Sequence, residues 1–300
     1  MKTLKDIDDF NDKKILLRVD FDVPVSEGKI TEEFRIQRQK ATIDRLISEG
    51  SKVVMIAHIS AIDSFEPILA QLEQILGHKV VFIEKLEQLG KLDQLGQLVL
   101  LDNIRRWTEE EKNDEIFAKT LSTGLDLYVN NAFAVSHRNH ASVSAVTKFL
   151  PSYGGLVLEE ETSRLKEAMS APKKGKVIIM GGAKAVTKIP VIKNFMDKAD
   201  KILLGGVIVN DILKAGGTYI NDSVADENSA ELLADIDLTN PVLVIPDDFG
   251  KLKDKILDIG PSTIEVYKDF IMRATMVIWN GPLGLFEDDR FAIGTNSVAR

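Results

Sequence analysis

The sequence predicts an α/β fold with two doubly wound parallel-sheet lobes, each Rossmann-like, joined by a linking helix. Short runs of four or five apolar residues recur along the 300-residue chain, and amphipathic helical stretches alternate with them. Because a parallel sheet is covered on both faces, its strands show up in a sequence as nearly continuous apolar runs. Alternation of such runs with helices over the full length favours the doubly wound class.

Nine apolar runs are the predicted strands. Five lie in the first half and four in the second: residues 15–19, 53–57, 80–83, 98–101, 127–129, 177–180, 202–204, 242–245 and 276–279. The predicted helices between them include residues 36–49, 66–76, 114–122 and 190–198. We expect Thr295 to cap a final short helix, because threonine is favoured at helix N-termini.

One segment predicts the boundary between the lobes. Residues 156–169 have a helical pattern of apolar positions, with Gly154-Gly155 before them and the breaker sequence APKKG at residues 171–175 after them. We therefore expect a first lobe at residues 1–155, a linking helix at residues 156–172 and a second lobe at residues 173–300.

Composition excludes several classes of protein. Apolar residues make up 44% and charged residues 28% of the chain, which argues against disorder. The absence of cysteine excludes disulfides, thiolate metal sites and a cysteine nucleophile. The net charge of −8 is spread over both halves, so we expect no nucleic-acid partner. No apolar run approaches the ~18 residues of a membrane span, and the N-terminus lacks an apolar signal core. We expect a cytoplasmic protein with no membrane partner, and we expect it to be a monomer.

Arginine and histidine collect just after the predicted strands of the first half. His58, Arg105 and Arg138 each follow one of these strands, and Arg35 precedes the first long helix. In open α/β sheets, ligands bind beyond the carboxyl ends of the strands. Guanidinium groups bind phosphate and carboxylate through paired hydrogen bonds, so this set favours a small anion that carries both groups. The alternative is that each arginine pairs with a nearby aspartate or caps a helix.

Glycine-bearing turns follow the predicted strands of the second half. Gly181-Gly182 leads to Lys184 and Lys188, which are four residues apart and would share one face of a helix. Two more turns contain Gly205 and the stretch from Asn280 to Glu287. Glycines let the backbone approach a ligand, and a helix N-terminus favours phosphate, so these turns suggest a nucleotide whose ribose Glu287 would bind. Neither GxxxxGK[ST] nor GxGxxG is present, so a strand–turn–helix with solvated lysines and a helix-capping Glu287 stays open.

Six stretches, taken together, resemble phosphoglycerate kinase. They occur in the order of that family and at about its spacing, and they extend over essentially the whole chain. They are residues 18–24 (RVDFDVP), 100–105 (LLDNIR), 128–133 (YVNNAF), 137–142 (HRNHAS), 181–184 (GGAK) and 279–287 (WNGPLGLFE).

The resemblance implies a two-lobed kinase of glycolysis that closes by hinge bending. The enzyme would transfer a phosphoryl group between 1,3-bisphosphoglycerate with ADP and 3-phosphoglycerate with ATP. The first lobe would bind 3-phosphoglycerate, and the second would bind the Mg²⁺ complex of ATP or ADP, with no metal site formed by protein side chains alone. Phosphoryl transfer of this kind needs positioning and charge neutralisation rather than a protein nucleophile.

The resemblance also implies a role for individual residues. Arg35 would be the catalytic cation between the substrate carboxylate and the moving phosphoryl group, and Lys188 would follow that group. Asp20 would orient a substrate-binding arginine. The substrate-binding positions are Asp20, Asp22, Arg35, His58, Arg105 and Arg138, and the nucleotide-binding positions are Gly181, Gly182, Lys184, Lys188, Gly205, Asn280 and Glu287.

The sequence departs from the family pattern at important places. Asp22 stands where the family has asparagine, and a carboxylate there would repel an anionic substrate. Ala61 stands where the family has arginine, and the loss of such a phosphate contact commonly costs ~1.5–3 kcal/mol. The family also continues beyond residue 300 with a Gly-Gly-Gly-Asp-Thr loop that handles Mg²⁺, so we expect a truncated chain with weak or absent turnover. The competing hypothesis is a catalytically impaired homologue that binds a phosphorylated metabolite or a protein partner.

Overall fold

The computed structural model covers residues 1–300 and divides into two compact units, Met1–Leu165 and Lys166–Arg300. Each unit has its own parallel sheet with helices on both faces, and each is described separately. The α/β class and the two parallel sheets predicted from the apolar runs are confirmed. None of the helices combines the length and the apolar character needed to cross a membrane.

The sheet of the first unit has six strands, all parallel. In space they follow the order β3-β4-β2-β1-β5-β6, so the chain reverses its direction of winding at β1. A doubly wound sheet of this kind places its ligand crevice at the carboxyl ends of the strands beside that reversal. The strands are β1 (Lys14–Arg18), β2 (Lys52–Ile56), β3 (Val81–Ile83), β4 (Leu98–Leu101), β5 (Leu127–Asn130) and β6 (Ser152–Gly154).

Helices and short 3₁₀ segments cover both faces of this sheet. Alternate residues of β1 point to opposite sides: Ile15 and Leu17 pack in one apolar cluster, and Leu16 packs in the other. A two-stranded hairpin, Val25–Ser26 with Lys29–Ile30, lies between β1 and the first helix. The helices are α1 (Phe34–Ser48), α2 (Leu69–Leu76), α3 (Thr108–Glu111) and α4 (Glu115–Leu121), and the 3₁₀ segments are Leu4–Asp6, Glu66–Ile68, Leu86–Gln94, Ile104–Arg106, Phe133–Val135 and Ala145–Lys148.

The long helix α5 (Leu156–Ser170) begins against the first unit. Its start is fixed by Asn131, whose Oδ1 accepts hydrogen bonds from Val157 N–H at 2.9 Å and Thr42 Oγ1 at 3.0 Å. On its outer side, Arg38 of α1 pairs with Glu160 at 2.9 Å and with Glu161. The first turns of α5 are therefore held to α1 by a guanidinium that contacts two carboxylates.

The second unit has a four-stranded parallel sheet and a separate hairpin. The sheet order is β9-β8-β7-β12, and β10 pairs with β11 in antiparallel fashion. The strands are β7 (Lys176–Met180), β8 (Lys201–Leu204), β9 (Leu243–Val244), β10 (Phe249–Leu252), β11 (Lys255–Ile259) and β12 (Met276–Asn280), and the helices are α6 (Ala185–Phe195), α7 (Val207–Ala215), α8 (Ser229–Leu233), α9 (Pro261–Met272) and α10 (Ile293–Ala299).

All nine predicted strands are present within one or two residues of their expected ends, but two helix predictions are wrong. The helix expected at residues 190–198 begins at Ala185, and Pro190 lies inside it. Pro190 is the sixth residue of this helix, beyond the four N–H groups that have no intrahelical partner, so it forgoes one backbone hydrogen bond there. Thr295 is not an N-cap either: it lies within α10, and its Oγ1 accepts a hydrogen bond from Leu283 N–H at 2.9 Å.

Candidate active site

The carboxyl edge of the first sheet collects most of the residues predicted to bind substrate. Arg18 ends β1, and the segments after β2, β4 and β5 carry His58, Arg105 and Arg138. The apolar residues of each strand lock it into the core, and the first polar side chains emerge where the strand ends. This edge therefore brings together side chains that lie more than 100 residues apart in the sequence.

Asp20 and Arg35 lie next to each other at this edge. Arg35 Nη1 is 3.7 Å from Asp20 Oδ2 and donates a hydrogen bond to the carbonyl of Asp22 at 3.2 Å. Asp20 is 8% exposed, and burial raises the pKa of its carboxyl, although the charge of Arg35 works against that rise. About half of the Arg35 side chain stays open to solvent. The guanidinium is therefore oriented by Asp20 and still accessible to a ligand.

Asp22 faces the loop that follows β2. Its Oδ1 accepts a hydrogen bond from Ser60 N–H at 2.7 Å, and its Oδ2 lies 3.3 Å from His58 Nε2. Burial alone would raise the pKa of Asp22, but the Ser60 hydrogen bond and the cations nearby outweigh it, and the pKa lies below its ordinary value. The carboxyl of Asp22 is thus ionised at neutral pH, and it is directed at this loop rather than away from the site.

His58 is almost fully buried, at 2% exposure, and no hydrogen-bond partner satisfies its Nε2. The oxygen of Asp22 is near enough, but the geometry is not that of a hydrogen bond. Arg18 Nη2 lies 3.2 Å from His58 Nδ1 on the other side of the ring. Burial and the charges of Arg18 and Arg105 lower the pKa of His58 to about 3, so the imidazole is neutral.

Arg105 and Arg138 complete the cluster. Arg105 Nη1 donates to Ser60 Oγ at 3.1 Å, and its Nε is 3.4 Å from Glu111 Oε1. The side chain of Arg138 makes no ion pair or hydrogen bond within the chain, yet its charge acts on His58. The cluster therefore offers one unpaired guanidinium and one unsatisfied ring nitrogen, two groups that suit an anionic ligand.

Three glycine turns meet at the carboxyl edge of the second sheet. A Cβ at Gly181 would lie 2.1 Å from the carbonyl oxygen of Pro282, and one at Gly206 would lie 2.7 Å from the nitrogen of Gly182. Gly182, Gly206 and Gly281 also have positive φ angles of 96°, 61° and 81°. Backbone hydrogen bonds join the turns, including Gly182 N–H to Pro282 O at 2.8 Å. Only glycine allows backbones to approach this closely.

A cavity of about 480 Å³ opens beside these turns. Its wall is mostly apolar and includes Val207 and Val209 of α7, Leu283 and Leu285 of the turn after β12, and Phe249 of the hairpin. Gly182, Gly206 and Glu287 also line it. Cavities of this size with apolar walls and a few polar groups are typical of small-molecule and cofactor sites.

Cations lie beside this cavity at the start of α6. Lys184 is the exposed residue before the helix, and Lys188, one turn further on, donates a hydrogen bond to Asn280 Oδ1. The free N–H groups of the first turn carry partial positive charge, which these lysines reinforce. This end of the cavity suits phosphate groups, while its apolar wall suits a base. In the whole chain, no group of three or more His, Asp or Glu side chains is placed to hold a metal ion.

Comparison with known proteins decides the family. The family model described as phosphoglycerate kinase matches residues 4–300 of this chain. The chain belongs to the phosphoglycerate kinase family. Among its relatives, phosphoglycerate kinase from Dictyoglomus turgidum is 36% identical, with 99% of this chain and 84% of the relative covered. Phosphoglycerate kinase from Prochlorococcus marinus strain MIT 9515 is 38% identical, with 96% and 81% covered.

Solved structures of the phosphoglycerate kinase family have the same fold. The crystal structure of phosphoglycerate kinase from Pyrococcus horikoshii is similar with a TM-score of 0.87 and 28% identity, covering 100% of this chain and 85% of that chain. The structure of phosphoglycerate kinase from Coxiella burnetii gives a TM-score of 0.82 at 28% identity, with 99% and 84% covered.

The structure brings most of the predicted site residues together within each unit. Asp20, Asp22, Arg35, His58 and Arg105 contact one another directly or through Ser60. In the second unit, the predicted nucleotide residues divide into three groups. Gly182 and Glu287 line the cavity, Lys184, Lys188 and Asn280 lie beside it, and Gly181 and Gly205 do not line it but pack against Pro282 and Leu283.

Sequence reasoning missed several residues of the site. The β10–β11 hairpin supplies Phe249 and Ile256 to the cavity, and α7 supplies Asn210. None of these side chains has catalytic chemistry, and the hairpin strands are too polar to be recognised by apolar runs. Arg18 belongs to the first of the six stretches, but no sequence pattern marks it as a functional residue, although it is buried within the first cluster.

Proposed function

We propose that this chain catalyses the phosphoglycerate kinase reaction, transferring the γ-phosphoryl group of ATP to the carboxylate of 3-phosphoglycerate, and the reverse. The proposal rests above all on the unpaired donors at the carboxyl edge of the first sheet. Arg138 has no partner within the chain, and the buried His58 Nε2 has none either. Buried polar groups are normally satisfied, so an unsatisfied one at a sheet edge indicates a ligand.

In the first unit, we assign 3-phosphoglycerate to this cluster. Arg138, Arg105 and His58 hold the 3-phosphate and the glycerate oxygens, and Arg35 binds the carboxylate that attacks phosphorus. Arg35 is suited to this role because Asp20 orients it while half of its side chain stays open. Its charge also neutralises negative charge on the phosphoryl group as the new carboxyl–phosphorus bond forms.

In the second unit, we assign the nucleotide to the cavity, with magnesium entering as part of the ATP or ADP complex. The apolar wall takes the base, Glu287 accepts hydrogen bonds from the ribose, and the start of α6 with Lys184 binds the phosphates. Lys188 is held toward Asn280 and accompanies the phosphoryl group as its bond to the β-phosphate oxygen breaks. The magnesium ion supplies charge neutralisation to the phosphate oxygens.

Matched substitutions in a coupled assay for 1,3-bisphosphoglycerate test the proposal. Lys188→Ala should reduce the rate at least ~100-fold, because transition-state charge stabilisation by one cation is commonly worth ~3 kcal/mol. Lys193→Ala, on the same helix but paired with Asp235, should leave the rate unchanged. Arg35→Ala and Arg45→Ala form the equivalent pair on α1. A chain that binds neither ADP nor 3-phosphoglycerate, or a Lys188→Ala variant with parental turnover, would contradict the assignment.

We also propose that the protein acts in the cytoplasm as a monomer. Light scattering coupled to gel filtration would test the monomeric state, and a particle with twice the mass of the chain would contradict it.

A further inference from the structure

Arg18 is an arginine buried in the interior beneath the substrate cluster. It is 2% exposed, and four of its five N–H groups have partners. Nη1 donates to the carbonyl oxygens of Val19 at 2.8 Å and Ile56 at 3.3 Å, and Nε donates to Ser142 Oγ at 3.0 Å. Nη2 lies 3.2 Å from Nδ1 of His58. The guanidinium therefore has one fixed position, and one of its contacts is an imidazole nitrogen.

The chemistry of that contact determines where the His58 proton lies. A guanidinium has five N–H donors and no acceptor, and it stays protonated in proteins. Nδ1 of His58 must therefore be the acceptor, which means that it carries no proton. In a neutral imidazole the proton then resides on Nε2. That Nε2 is buried and has no hydrogen-bond partner within the chain.

We propose that Arg18 is a positioning residue that fixes His58 as the neutral imidazole with its proton on Nε2, so that His58 donates a hydrogen bond to an anionic oxygen of the substrate. This inference rests on the proposed function for the identity of that substrate. It adds the direction of the hydrogen bond: His58 is a donor, so the group it contacts is an acceptor, a phosphate or carboxylate oxygen.

Arg18 is itself held by a buried acid. Ser142 Oγ accepts from Arg18 and donates to Glu110 Oε1 at 2.5 Å, and Ser142 N–H donates to Glu110 Oε2 at 2.8 Å. Glu110 is 1% exposed. The carboxylate supplies the negative charge that a buried guanidinium requires. The order of contacts is thus Glu110, Ser142, Arg18, His58 and then the ligand.

The charges around His58 keep the imidazole neutral over the physiological range. Arg18 from β1, Arg105 from the segment after β4 and Arg138 from the segment after β5 disfavour an imidazolium, and Asp22 favours it. Together with burial they lower the pKa of His58 to about 3. The hydrogen bond from His58 is therefore unchanged between pH 5 and 8, whereas one that required an imidazolium would weaken across that range.

Nitrogen NMR of the unmodified chain tests the proposal directly. The chain has four histidines, and the spectrum of His58→Gln assigns the His58 signals by their loss. We expect Nε2 to resonate as a protonated, pyrrole-type nitrogen and Nδ1 as an unprotonated, pyridine-type nitrogen, with no change from pH 5 to 8. A proton on Nδ1, a mixture of tautomers or an imidazolium at pH 6 would overturn the proposal.

Variants of Arg18 separate positioning from a purely structural role. Arg18→Lys keeps a cationic donor beside Nδ1, so the Nε2–H form should persist. Arg18→Met removes the donor, and His58 should then show both tautomers and gain a proton at higher pH. An unaltered His58 spectrum in a folded Arg18→Met variant would contradict the role of Arg18. If that variant does not fold, the spectrum of the parent chain still decides where the proton lies.

A pair of substitutions at His58 tests the donated hydrogen bond. Glutamine places an amide N–H near the position of Nε2, and asparagine places one near Nδ1. We expect His58→Gln to keep 3-phosphoglycerate affinity within about 10-fold and His58→Asn to lose about 10–100-fold, measured by calorimetry. Better binding by His58→Asn would contradict the inference. A parent chain that shows the Nε2–H form but does not bind 3-phosphoglycerate would instead contradict the proposed function.

Discussion

The contact between Gly181 and Pro282 predicts that a single methyl group at residue 181 damages the nucleotide site. In Gly181→Ala the new Cβ would lie 2.1 Å from the carbonyl oxygen of Pro282 and 2.8 Å from its carbonyl carbon. Both are backbone atoms, so no side-chain rotation relieves the overlap, and the turn at residues 281–282 has to move. That movement breaks the hydrogen bond from Gly182 N–H to Pro282 O, which is 2.8 Å long.

The loss of stability in Gly181→Ala follows from the steric overlap and the broken hydrogen bond. Overpacking in a close contact costs ~1–3 kcal/mol and a lost backbone hydrogen bond ~1 kcal/mol, which gives ~2–4 kcal/mol. At roughly 4 °C per kcal/mol for a domain of this size, the melting temperature should fall by ~8–16 °C. Pro282 and Leu283 line the cavity, so ADP affinity should fall by about 10-fold or more, equivalent to ~1.4 kcal/mol.

Calorimetry measures both the melting temperature and the ADP affinity, and Gly90→Ala is the control. A Cβ at Gly90 has no atom within 4 Å, so this variant should melt within about 0.5 kcal/mol of the parent and bind ADP equally well. Binding of 3-phosphoglycerate should be the same in all three proteins, because the residues assigned to it lie in the first unit. A Gly181→Ala protein with parental stability and ADP affinity would show that the turns at Gly181 and Pro282 can move apart at no cost. That result would refute the claim that their close contact maintains the nucleotide site.

Three further predictions concern single side chains. Asp22→Asn should tighten 3-phosphoglycerate binding about 3–10-fold, because the carboxylate is ionised beside an anion site, and calorimetric binding that is unchanged or weaker would contradict this. Arg138→Ala should weaken that binding about 10–100-fold without loss of stability. Arg106→Ala should leave binding intact but destabilise the fold by ~1–3 kcal/mol, because Arg106 pairs with the buried Asp102. Calorimetry measures the binding of both variants, and urea titration measures their stability. Asp211→Asn should stabilise the protein by ~1 kcal/mol at pH 7, because burial raises the pKa of Asp211 and its Oδ2 has no partner. A carboxyl whose folded pKa is raised destabilises the fold above that pKa, so the gain should disappear in urea titrations at acidic pH, and a loss of stability at pH 7 would contradict it.

The sequence was most informative where burial dictates residue type. The strands of both sheets are runs such as Val53–Ile56 that only a covered sheet explains, and the polar segments that follow these runs lie at the carboxyl edge of the sheet. That is why the sequence could predict that His58, Arg105 and Arg138 lie at one edge. The cavity wall was not predictable in this way, because Phe249 and Ile256 are ordinary apolar residues of a hairpin whose function depends on where it folds.

Other features depend on contacts that no local pattern encodes. Thr295 has the chemistry of a helix cap, but a backbone N–H from Leu283 uses its hydroxyl instead. The sequence suggests that Gly181 and Gly205 make room for a ligand, whereas in the structure they make room for Pro282 and Leu283. The burial of Arg18 depends on Glu110, a residue 92 positions away in a helix that looks solvated in sequence. In each of these three cases, the role of the residue is set by a contact with a residue distant in the sequence.

The attachment of α5 to α1 has a consequence for enzyme rate. Arg35 and Arg38 are separated by less than one helical turn of α1. Arg35 is assigned to the reacting carboxylate, and Arg38 pairs with Glu160 and Glu161 of α5. Both guanidinium groups are therefore carried by the same rigid helix. A shift in the first turns of α5 therefore displaces Arg35 without an intervening loop to absorb it. Mutations on α5, remote from either ligand, should accordingly alter kcat and the dissociation constant of 3-phosphoglycerate, while the dissociation constant of ADP stays the same.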